Sequence, residues 1–375
     1  MDTKKNKNQI SILLRKALCL ALGAALCFSL IACGETADEG EEVAGPGENG
    51  VVYVYNYGDY VDPDVVDMFE EETGIKVIYD TFDTNEEMYP IVASSSVSYD
   101  VVGSGEYMAQ KLIENDLLAE INYDNVPNFC YISDMSKEFA NYYDPGNKYT
   151  VPYTWGTVGI VYNSRNIADG ELTGWADLWD EKYYDDIMMM DSLRDGMMIA
   201  CKLLGYSCNT TDETELAAAT QKLIEQKDIV YKYGTDAIRD LMLNESANIG
   251  VIYSGEAIYC SDEDPDMHYV VPKEGTNIWF DTWCIPKTAE NKENAETWIN
   301  FMCRPDIALK TYEYLHYGTP NASAEEMVAK LYPEDLENPA LFPDMSDTSK
   351  FEIFRYLGSE ADKIYNSYWK EFKAS

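Results

Sequence analysis

Along residues 51–375, short apolar runs typical of buried strands alternate with segments in which the hydrophobic residues have the period of an α-helix. Together these segments predict a parallel sheet covered by helices. Val51–Tyr57 is apolar on both faces, as expected for a buried parallel strand. Asp62 followed by a proline is typical of a helix start, and Gly74 ends the apolar helical face that follows. Ile75–Phe82 predicts a second strand, so this segment forms a β-α-β unit.

The same alternation continues along the rest of the chain. Further buried strands are predicted over Tyr99–Gly103, Tyr149–Asn163, Ile187–Met190 and Ala247–Tyr253. Helical patterns lie between these strands, and a helix pair is predicted over Ala289–Met302 and Pro305–Tyr314. No internal repeat is visible. The order of elements predicts a doubly wound α/β architecture, and 375 residues are enough for two lobes with substantial cores.

One stretch, Pro272–Pro286, contains an unusual combination of side chains. A turn with a glycine leads into aromatic and strand-favouring residues, and a proline closes the run, which predicts a strand. Because side chains alternate across a strand, Trp279, Asp281 and Trp283 share one face. A carboxylate between two indoles suits a cation with an apolar stem. The alternative is an aromatic core strand with an aspartate at its exposed end.

The charge of the chain restricts its partners. It contains 28 lysine and arginine residues against 67 aspartate and glutamate residues, a formal net charge of −39. Such a surface repels nucleic acids and anionic lipid headgroups, and it favours cationic partners. The two histidines, His268 and His316, are far apart in sequence, which argues against a histidine-rich metal site and against most histidine-based catalysis. Chemistry that uses carboxylates remains open.

Residues 1–32 predict a signal peptide rather than part of the fold. Basic residues precede an apolar run, Ala17–Ala32, that is short for a membrane span. The run ends in Leu-Ile-Ala-Cys-Gly, which resembles the lipobox of bacterial lipoproteins and implies a lipid on the thiol of Cys33. The alternative is an ordinary secretory signal with a chance cysteine. Residues 33–50 are acidic, rich in glycine and free of aromatic residues, which predicts a flexible tether.

Six cysteines remain beyond the predicted lipidation site: Cys130, Cys201, Cys208, Cys260, Cys284 and Cys303. An even number in an exported protein permits disulfides without establishing a pairing. Several of these cysteines lie in apolar runs, so small buried thiols are the alternative. No Cys-x-x-Cys pair occurs among them, which leaves a zinc or redox centre without support.

Six sequence fragments occur in an order that is specific to one family. They are Tyr55–Tyr60, Thr73–Val77, Asn85–Tyr89, Val151–Gly156, Trp279–Asp281 and Gly318–Asn321. Together they resemble the spermidine/putrescine-binding proteins of bacterial polyamine ABC transporters, and the resemblance covers essentially all of residues 51–375. It implies an α/β fold of the type II periplasmic-binding-protein class, in which two lobes joined by crossing strands hold the ligand in a cleft between them.

The resemblance implies positions for the lobes and for the ligand. Lobe one is expected over 51–156 and 280–325, and lobe two over 157–279 and 326–375. The family's cleft aromatics fall on Tyr57, Tyr60, Tyr107, Tyr253, Trp279 and Tyr317, and its carboxylates fall on Asp59, Asp195 and Asp281. Trp279 and Asp281 then lie where the strands cross between the lobes, which agrees with the strand pattern described above.

Several positions depart from the family pattern or have another explanation. Ser192 stands where the spermidine binder has a further acid, Phe354 stands near a family glutamine, and Gly105-Glu106 replaces a small polar residue before Tyr107. Ser192 and Asp195 also have the spacing of a capping box, so helix capping alone could explain Asp195. The choice between a diamine and a triamine therefore stays open, with little discrimination or a preference for putrescine expected.

The implied function is that of a lipid-anchored substrate-binding protein outside the cytoplasmic membrane, which captures a protonated polyamine and delivers it to an ABC permease. No cofactor, metal or catalytic residue is implied. One alternative is a binding protein of the same fold for another small cation, a sugar or an amino acid. No basic residue stands at the positions of the cleft acids, which argues against an anionic ligand. A second alternative is a secreted hydrolase with a pair of catalytic carboxylates.

Replacing Cys33 with alanine tests the predicted anchor. Because the lipid would be attached through this thiol, Cys33→Ala should release the protein from membranes while the folded domain still binds its ligand. Membrane fractionation after a salt wash, followed by a binding assay on the released protein, is the measurement. Persistence of the Cys33→Ala protein in the washed membrane fraction would show that the lipoprotein prediction is wrong.

Overall fold

The computed structural model describes residues 47–235 and 237–375. The predicted signal peptide, Cys33 and the predicted tether up to residue 46 lie outside these described residues. The last four residues of the predicted tether form a turn, in which the amide of Gly47 donates to the carbonyl of Gly50 at 2.9 Å. Within the described part of the chain, no helix combines the length and the apolar character that crossing a membrane requires.

Ten strands of the described residues form one mixed sheet. They are β1 (Val51–Tyr57), β2 (Lys76–Phe82), β3 (Val101–Gly105), β4 (Thr150–Asn163), β5 (Ile187–Met190), β6 (Val230–Gly234), β7 (Ile249–Tyr253), β8 (Met267–Val270), β9 (Thr276–Cys284) and β10 (Phe351–Glu352). The main path through the sheet is β2-β1-β3-β9-β4-β7-β5-β6, with β10 beside β9 and β8 beside β4. In one half β1 is parallel to β2 and β3, and in the other half β5 is parallel to β6 and β7.

Twelve α-helices of the described residues accompany this sheet. They are α1 (Pro63–Thr73), α2 (Asn85–Ser94), α3 (Glu106–Glu114), α4 (Asp134–Ala140), α5 (Leu193–Leu203), α6 (Glu213–Gln226), α7 (Ala237–Leu243), α8 (Ser254–Glu263), α9 (Lys292–Met302), α10 (Pro305–Leu315), α11 (Ala322–Leu331) and α12 (Ser359–Ala374). Parallel strands alternate with helices in both halves of the sheet, so the predicted α/β class is confirmed.

The first β-α-β unit shows how local chemistry sets the boundaries of the elements. The side chain of Asp62 caps α1 by accepting a hydrogen bond from a backbone amide at 2.9 Å, as predicted. Gly74 ends the helix with a φ of 68°, a conformation that glycine adopts without strain. The third strand differs from the prediction, because it begins at Val101 rather than at Tyr99. The ring of Tyr99 stacks on Tyr55 instead, with centroids 4.3 Å apart.

Two strands, β4 and β9, extend from one half of the sheet into the other. Residues 150–157 of β4 pair with β9, and residues 158–162 of β4 pair with β7. On β9, residues 281–284 pair with β3, and residues 276–277 pair with β10. These two antiparallel strands therefore connect the two halves through one ladder, whose register shifts between Pro152 and Thr154.

Each half of the sheet has a hydrophobic core of its own. Val54, Phe69 and Trp298 belong to a buried cluster beside β1 and β3. Met188 and Ile249 belong to a separate buried cluster beside β5 and β7. Two cores joined by crossing strands are the arrangement that the two-lobed class requires.

The predicted central stretch forms strand β9 and the turn before it. Gly275 takes a φ of 92°, and a Cβ atom at this position would overlap a neighbouring backbone carbonyl. Trp283 is 1% exposed and packs edge-on against Trp298 in the core. Trp279 and Asp281 are only partly buried. The alternative of an aromatic core strand thus describes Trp283, whereas the other two side chains remain accessible.

The six cysteines beyond the predicted lipidation site are unpaired. Cys130 is exposed and the other five are buried. Burial raises the pKa of the Cys201 thiol to about 12, which keeps this group protonated at neutral pH. Small buried thiols therefore describe five of the six positions, and no disulfide joins cysteines of the described residues.

Candidate functional site

Four of the predicted site residues lie where parallel strands end. Tyr57 is the last residue of β1, and Tyr253 is the last residue of β7. Tyr107 lies in the first turn of α3, directly after β3, and Asp195 lies in the first turn of α5, after β5. In open α/β sheets, ligands bind in the crevice outside the carboxyl ends of the strands. The topology thus presents these side chains at the edge of the sheet that is suited to a ligand.

The crossing strand β9 brings Trp279 and Asp281 beside them. Gly156 lies opposite Trp279 on β4, and a Cβ atom at Gly156 would overlap the indole. Gly255 gives similar room to Tyr317, whose ring would overlap a Cβ atom there. Glycine at these two positions therefore lets each ring lie directly against a backbone.

Five aromatic rings form a continuous row. The centroid distances along it are 5.3 Å from Tyr57 to Tyr60, 6.1 Å from Tyr60 to Tyr317, 5.0 Å from Tyr317 to Trp279, and 6.4 Å from Trp279 to Tyr253. All four contacts are edge-on or tilted, which aromatic rings prefer to a face-to-face sandwich. Asp281 contacts the row at Tyr60, and Asp195 contacts it at Tyr253.

Asp281 is held by tyrosine hydroxyls. The hydroxyl of Tyr60 donates to Oδ2 of Asp281 at 2.5 Å, and it also lies 3.0 Å from the hydroxyl of Thr154. Burial raises the pKa of the Asp281 carboxyl to about 6, although the hydroxyls of Tyr60 and Tyr57 oppose this shift. The carboxyl group is therefore mostly ionised at pH 7 and takes up a proton as the pH falls through about 6.

Asp195 is 4% exposed, and its two oxygens have different surroundings. Oδ2 accepts hydrogen bonds from Ser192 at 2.5 Å and from Tyr253 at 2.9 Å. Oδ1 is buried and has no hydrogen-bond partner among the described residues. Burial raises the pKa of this carboxyl, and the two hydroxyl donors counteract the rise. A buried carboxylate oxygen without a partner is costly, so it marks a position where a donor is missing.

Helix capping does not explain this aspartate. Ser192 precedes α5, but its side chain makes no hydrogen bond to the backbone of the helix. Its hydroxyl donates to Asp195 instead. The capping-box interpretation is therefore wrong, and the same spacing of three residues serves a contact between two side chains.

Neither carboxylate forms an ion pair with a basic side chain of the described residues. Arg194 is next to Asp195 in sequence, but its guanidinium donates to Asn209 and to a backbone carbonyl. The indole Nε1 of Trp279 is also buried without an acceptor in that part of the chain. Two desolvated negative charges linked by aromatic rings suit a ligand with separated positive charges and an apolar middle. No cluster of histidine, cysteine and acidic side chains in the described residues could hold a metal ion.

Tyr107 approaches the other predicted site residues from the side of α3. Its hydroxyl donates to the exposed Glu86 at 2.9 Å and accepts from Asn85 at 3.4 Å. Burial raises the pKa of Tyr57, Tyr107 and Tyr253, and the hydroxyl of Tyr107 lies close enough to the other two for their ionisations to oppose one another. The ring thus borders both halves of the predicted site.

Asp59 lies apart from the other predicted site residues. It is exposed in the turn after β1, with a φ of 51°. The groups whose pKa it influences are Tyr79 and Tyr314 rather than the tyrosines of the row. The structure therefore brings together eight of the nine predicted ligand-binding residues, and it leaves Asp59 at the surface.

Known proteins match this chain over most of its length. The family model described as bacterial extracellular solute-binding protein matches residues 64–342. A spermidine/putrescine-binding periplasmic protein of Salmonella typhimurium is 35% identical over 347 residues, which cover 92% of this chain and 97% of that protein. The chain belongs to the bacterial extracellular solute-binding proteins.

Other members support the same relationship. The putrescine-binding periplasmic protein SpuD of Pseudomonas aeruginosa is 28% identical over 345 residues, which cover 87% of this chain and 93% of that protein. The solved structure of the spermidine/putrescine ABC transporter substrate-binding protein PotD of Streptococcus pneumoniae has a TM-score of 0.79 at 37% identity, and the match covers 86% of this chain and 98% of that chain. The predicted resemblance and the two-lobed periplasmic-binding-protein fold are confirmed.

Two parts of the site in this solute-binding protein were not predictable from its residue pattern. Thr154 contacts Tyr60, and it lies within a fragment that carries the resemblance, but its side chain gives no chemical signal of its own. Glu106 is 3% exposed, and its carboxyl group accepts a hydrogen bond from the amide of Phe280 at 3.2 Å. The available signal is a charged residue directly before Tyr107, a predicted ligand-binding residue.

Phe354, which stands near a glutamine of the family pattern in the predicted resemblance, is a core residue. Its side chain is 6% exposed and belongs to the core cluster beside β5 and β7. The guanidinium of Arg194 lies 4.6 Å from the centre of its ring. This cation–π contact helps to fix the guanidinium of Arg194, whose positive charge opposes the rise that burial causes in the pKa of Asp195.

Replacing Asp281 with asparagine in the ligand-free solute-binding protein tests the desolvation of this carboxyl. Its folded pKa of about 6 exceeds the ordinary value of 3.8, so between these pH values the folded protein holds a proton that the unfolded chain has released. The stability of the wild type relative to Asp281→Asn should therefore fall as the pH rises through this window. At pH 7 the variant should be more stable by on the order of 1–3 kcal/mol.

Chemical denaturation at about pH 4 and pH 7 provides the measurement. Asp80→Asn is a matched control, because the exposed Asp80 also accepts a tyrosine hydroxyl, that of Tyr99 at 2.9 Å. This control should show no gain in stability at pH 7. An Asp281→Asn protein that is less stable than the wild type at pH 7 would contradict the assigned desolvation.

Proposed function

We propose that this chain is the substrate-binding protein of an ABC importer and that it captures protonated polyamines of the putrescine and spermidine class. The observation that carries the proposal is the pair of desolvated carboxylates, Asp195 and Asp281, joined by one row of aromatic rings. The similar proteins of Salmonella typhimurium and Pseudomonas aeruginosa are spermidine/putrescine-binding and putrescine-binding proteins. A polyamine carries two or more ammonium groups on an apolar chain. Its charges therefore complement the two carboxylates, and its chain complements the row of aromatic rings.

Each end of the ligand meets one carboxylate. An ammonium group beside Asp195 supplies the hydrogen bond that Oδ1 lacks in the described residues. A second ammonium group pairs with Asp281, whose Oδ2 accepts from Tyr60. Hydrogen bonds between two charged groups are roughly twice as strong as neutral ones. The methylene groups lie along Trp279 and the remaining rings of the site, Tyr57, Tyr107, Tyr253 and Tyr317, while Asp59 remains a predicted third acid.

Binding favours the closed form of the two lobes. We place lobe one at 51–156 and 280–325, and lobe two at 157–279 and 326–375, so that Asp281 and Asp195 belong to different lobes. A ligand that contacts both carboxylates stabilises closure by the difference between its affinities for the closed and open forms. The closed protein then delivers the ligand to the permease. No bond is made or broken in this cycle.

The proposed place of action is outside the cytoplasmic membrane. The similar proteins of Salmonella typhimurium and Pseudomonas aeruginosa are periplasmic by description. A lipid on Cys33 and the acidic tether over 33–50 would keep the folded domain close to its permease.

Calorimetric titration with putrescine, spermidine and spermine tests the function, together with native mass spectrometry of the protein as purified. A retained or titratable polyamine supports the proposal. Titration with neutral sugars and with amino acids tests the alternative of another ligand on the same fold. Turnover of a panel of glycosides would support a carboxylate-pair hydrolase, and it would overturn the proposal if no polyamine bound.

Asp281→Asn should weaken polyamine binding strongly. Removing one member of a desolvated charge pair costs about 2–5 kcal/mol, because the partner charge remains buried without compensation. The dissociation constant should therefore rise roughly 30-fold or more at pH 7. Calorimetric titration measures this change, and Asp80→Asn is the control that removes an exposed charge. An unchanged dissociation constant would mean that Asp281 does not contact the ligand.

Ser192→Asp should shift the preference towards a triamine. Two desolvated carboxylates, those of Asp195 and Asp281, contact the row of aromatic rings. A triamine carries three ammonium groups, and each of them needs a partner that offsets the cost of leaving water. Because the hydroxyl of Ser192 lies 2.5 Å from Asp195, an aspartate there adds a carboxylate at the same end of the row. One added charge-assisted hydrogen bond should favour spermidine over putrescine by about 1–3 kcal/mol.

Paired titration of both amines with wild type and variant gives the change in selectivity. Ser192→Ala removes the hydroxyl without adding charge, so it should change both affinities in the same direction. An unchanged affinity ratio in Ser192→Asp would show that position 192 does not face the ligand.

A further inference from the structure

Three residues of the crossing strand β9 have no strand neighbour along one edge. Pairing with β10 ends at Asn277, and pairing with β3 begins at Asp281. Along the opposite edge, β4 pairs with β9 throughout this interval. The open interval, 278–280, lies directly before the ligand-binding carboxylate, and it includes the backbone of Trp279. The position of both ligand-binding side chains therefore depends on what holds this edge.

The first turn of α3 fills the open interval. Glu106 follows Gly105, which is the residue of β3 opposite Asp281. Its Oε2 accepts a hydrogen bond from the amide of Phe280 at 3.2 Å, in the place where a strand would continue the ladder. One turn later Gln110 accepts a hydrogen bond from the amide of Tyr356 at 2.9 Å, beyond β10. Side chains of one helix thus bridge the gap between β3 and β10.

Glu106 is also a buried acid, and it is not one of the two carboxylates that pair with the ammonium groups in the proposed binding mode. It is 3% exposed, and its burial raises the pKa of its carboxyl to about 8, with the negative charge of Asp281 contributing to the rise. The titratable and charged groups that face it are Asp281 from β9, Arg194 from α5, Tyr57 from β1, Tyr143 from the segment after α4, and Tyr107 from α3 itself. Arg194 opposes the rise, but burial has the larger effect.

We propose that Glu106 is a positioning residue of the binding site, which holds the Trp279–Asp281 segment through the amide of Phe280 and ionises beside Asp281 when a cation occupies the cleft. This inference rests on the proposed polyamine function. In the ligand-free protein a protonated Glu106 can accept from Phe280 without placing a second negative charge beside Asp281. A bound ammonium group offsets that repulsion, so Glu106 loses its proton to solvent and its charge contributes to affinity.

Calorimetry in two buffers with different ionisation enthalpies counts the protons released on binding putrescine. Near pH 7.5 the wild type should release a measurable fraction of one proton, and its affinity should rise up to about tenfold between pH 7 and pH 9. Primary amines have a pKa of about 10.4, so the ligand keeps its charge over this range. Glu106→Gln retains an oxygen acceptor for Phe280 but cannot ionise. It should bind within about threefold of the wild type at pH 7, and both the proton release and the rise in affinity should disappear.

Two further variants separate positioning from charge. Glu106→Ala removes the acceptor and should lose at least about tenfold in affinity at pH 7, which Glu106→Gln restores. Glu114→Gln removes an exposed carboxyl from the other end of α3 and should match the wild type in affinity, proton release and pH profile. Equal proton release by wild type and Glu106→Gln, or equal affinities of the Ala and Gln variants, would overturn the proposal.

A measurement without ligand keeps this inference distinct from the proposed function. The folded pKa of about 8 exceeds the ordinary glutamate value of 4.5, so between these values folded Glu106 holds a proton that the unfolded chain lacks. The melting temperature of the wild type should fall relative to Glu106→Gln as the pH rises from 5 to 9. A constant difference would overturn the role of Glu106 even if polyamines bind. Failure of the wild type to bind any polyamine would overturn the ligand assignment, and with it the coupling of Glu106 to binding.

Discussion

Two carboxyl groups withdrawn from solvent without an ion-pair partner in the described residues, Asp195 and Asp281, are the constraint on which the proposed site depends. Moving a carboxylate out of water is expensive unless hydrogen bonds or an opposite charge compensate it. Here the compensation comes from hydroxyl groups: Tyr60 donates to Asp281, while Ser192 and Tyr253 donate to Asp195. These donors are neutral, so they lower the cost of burial without neutralising the charge. Both carboxylates therefore have no ion-pair partner among the described residues, and the proposed polyamine would supply one.

The fold keeps those charges in place through one crossing strand. Asp281 and Trp279 lie on β9, which pairs with β3 in one half of the sheet and with β4 along the crossing. A small residue is required where the rings meet this framework, and Gly156 and Gly255 provide the space that Trp279 and Tyr317 occupy. A shift of β9 would move a carboxylate and an indole together. The edge contact made by Glu106 therefore bears on the geometry of the proposed site even though it is made through a backbone amide.

Much of this arrangement follows from local patterns in the sequence. Apolar runs fix the buried strands, and Asp62 sets the start of α1, because both effects act over a few residues. The bond between Ser192 and Asp195 could not be predicted, since a capping box and a contact between the two side chains share one spacing. The contact made by Glu106 depends on where β3 ends along β9. The pairing register of these two strands is set by the tertiary structure, so a local sequence pattern does not reveal it. The exposure of Asp59 similarly depends on its turn conformation rather than on its place in a motif.

The composition of the row is also the reason why we propose a diamine, rather than a neutral sugar, as the ligand. The two carboxylates contact the row through Tyr60 and Tyr253, whereas its middle is the edge-on contact between Trp279 and Tyr317. Methylene groups gain free energy by leaving water for aromatic faces, about 0.8 kcal/mol for each fully buried group. The hydroxyl groups of a sugar would need partners along the whole row, and each unpaired one would cost about 1–3 kcal/mol. Apart from the indole Nε1 of Trp279, the groups that need a partner are therefore the two carboxylates, and the proposed ligand, whose charges are separated by an apolar chain, would supply an ammonium group to each.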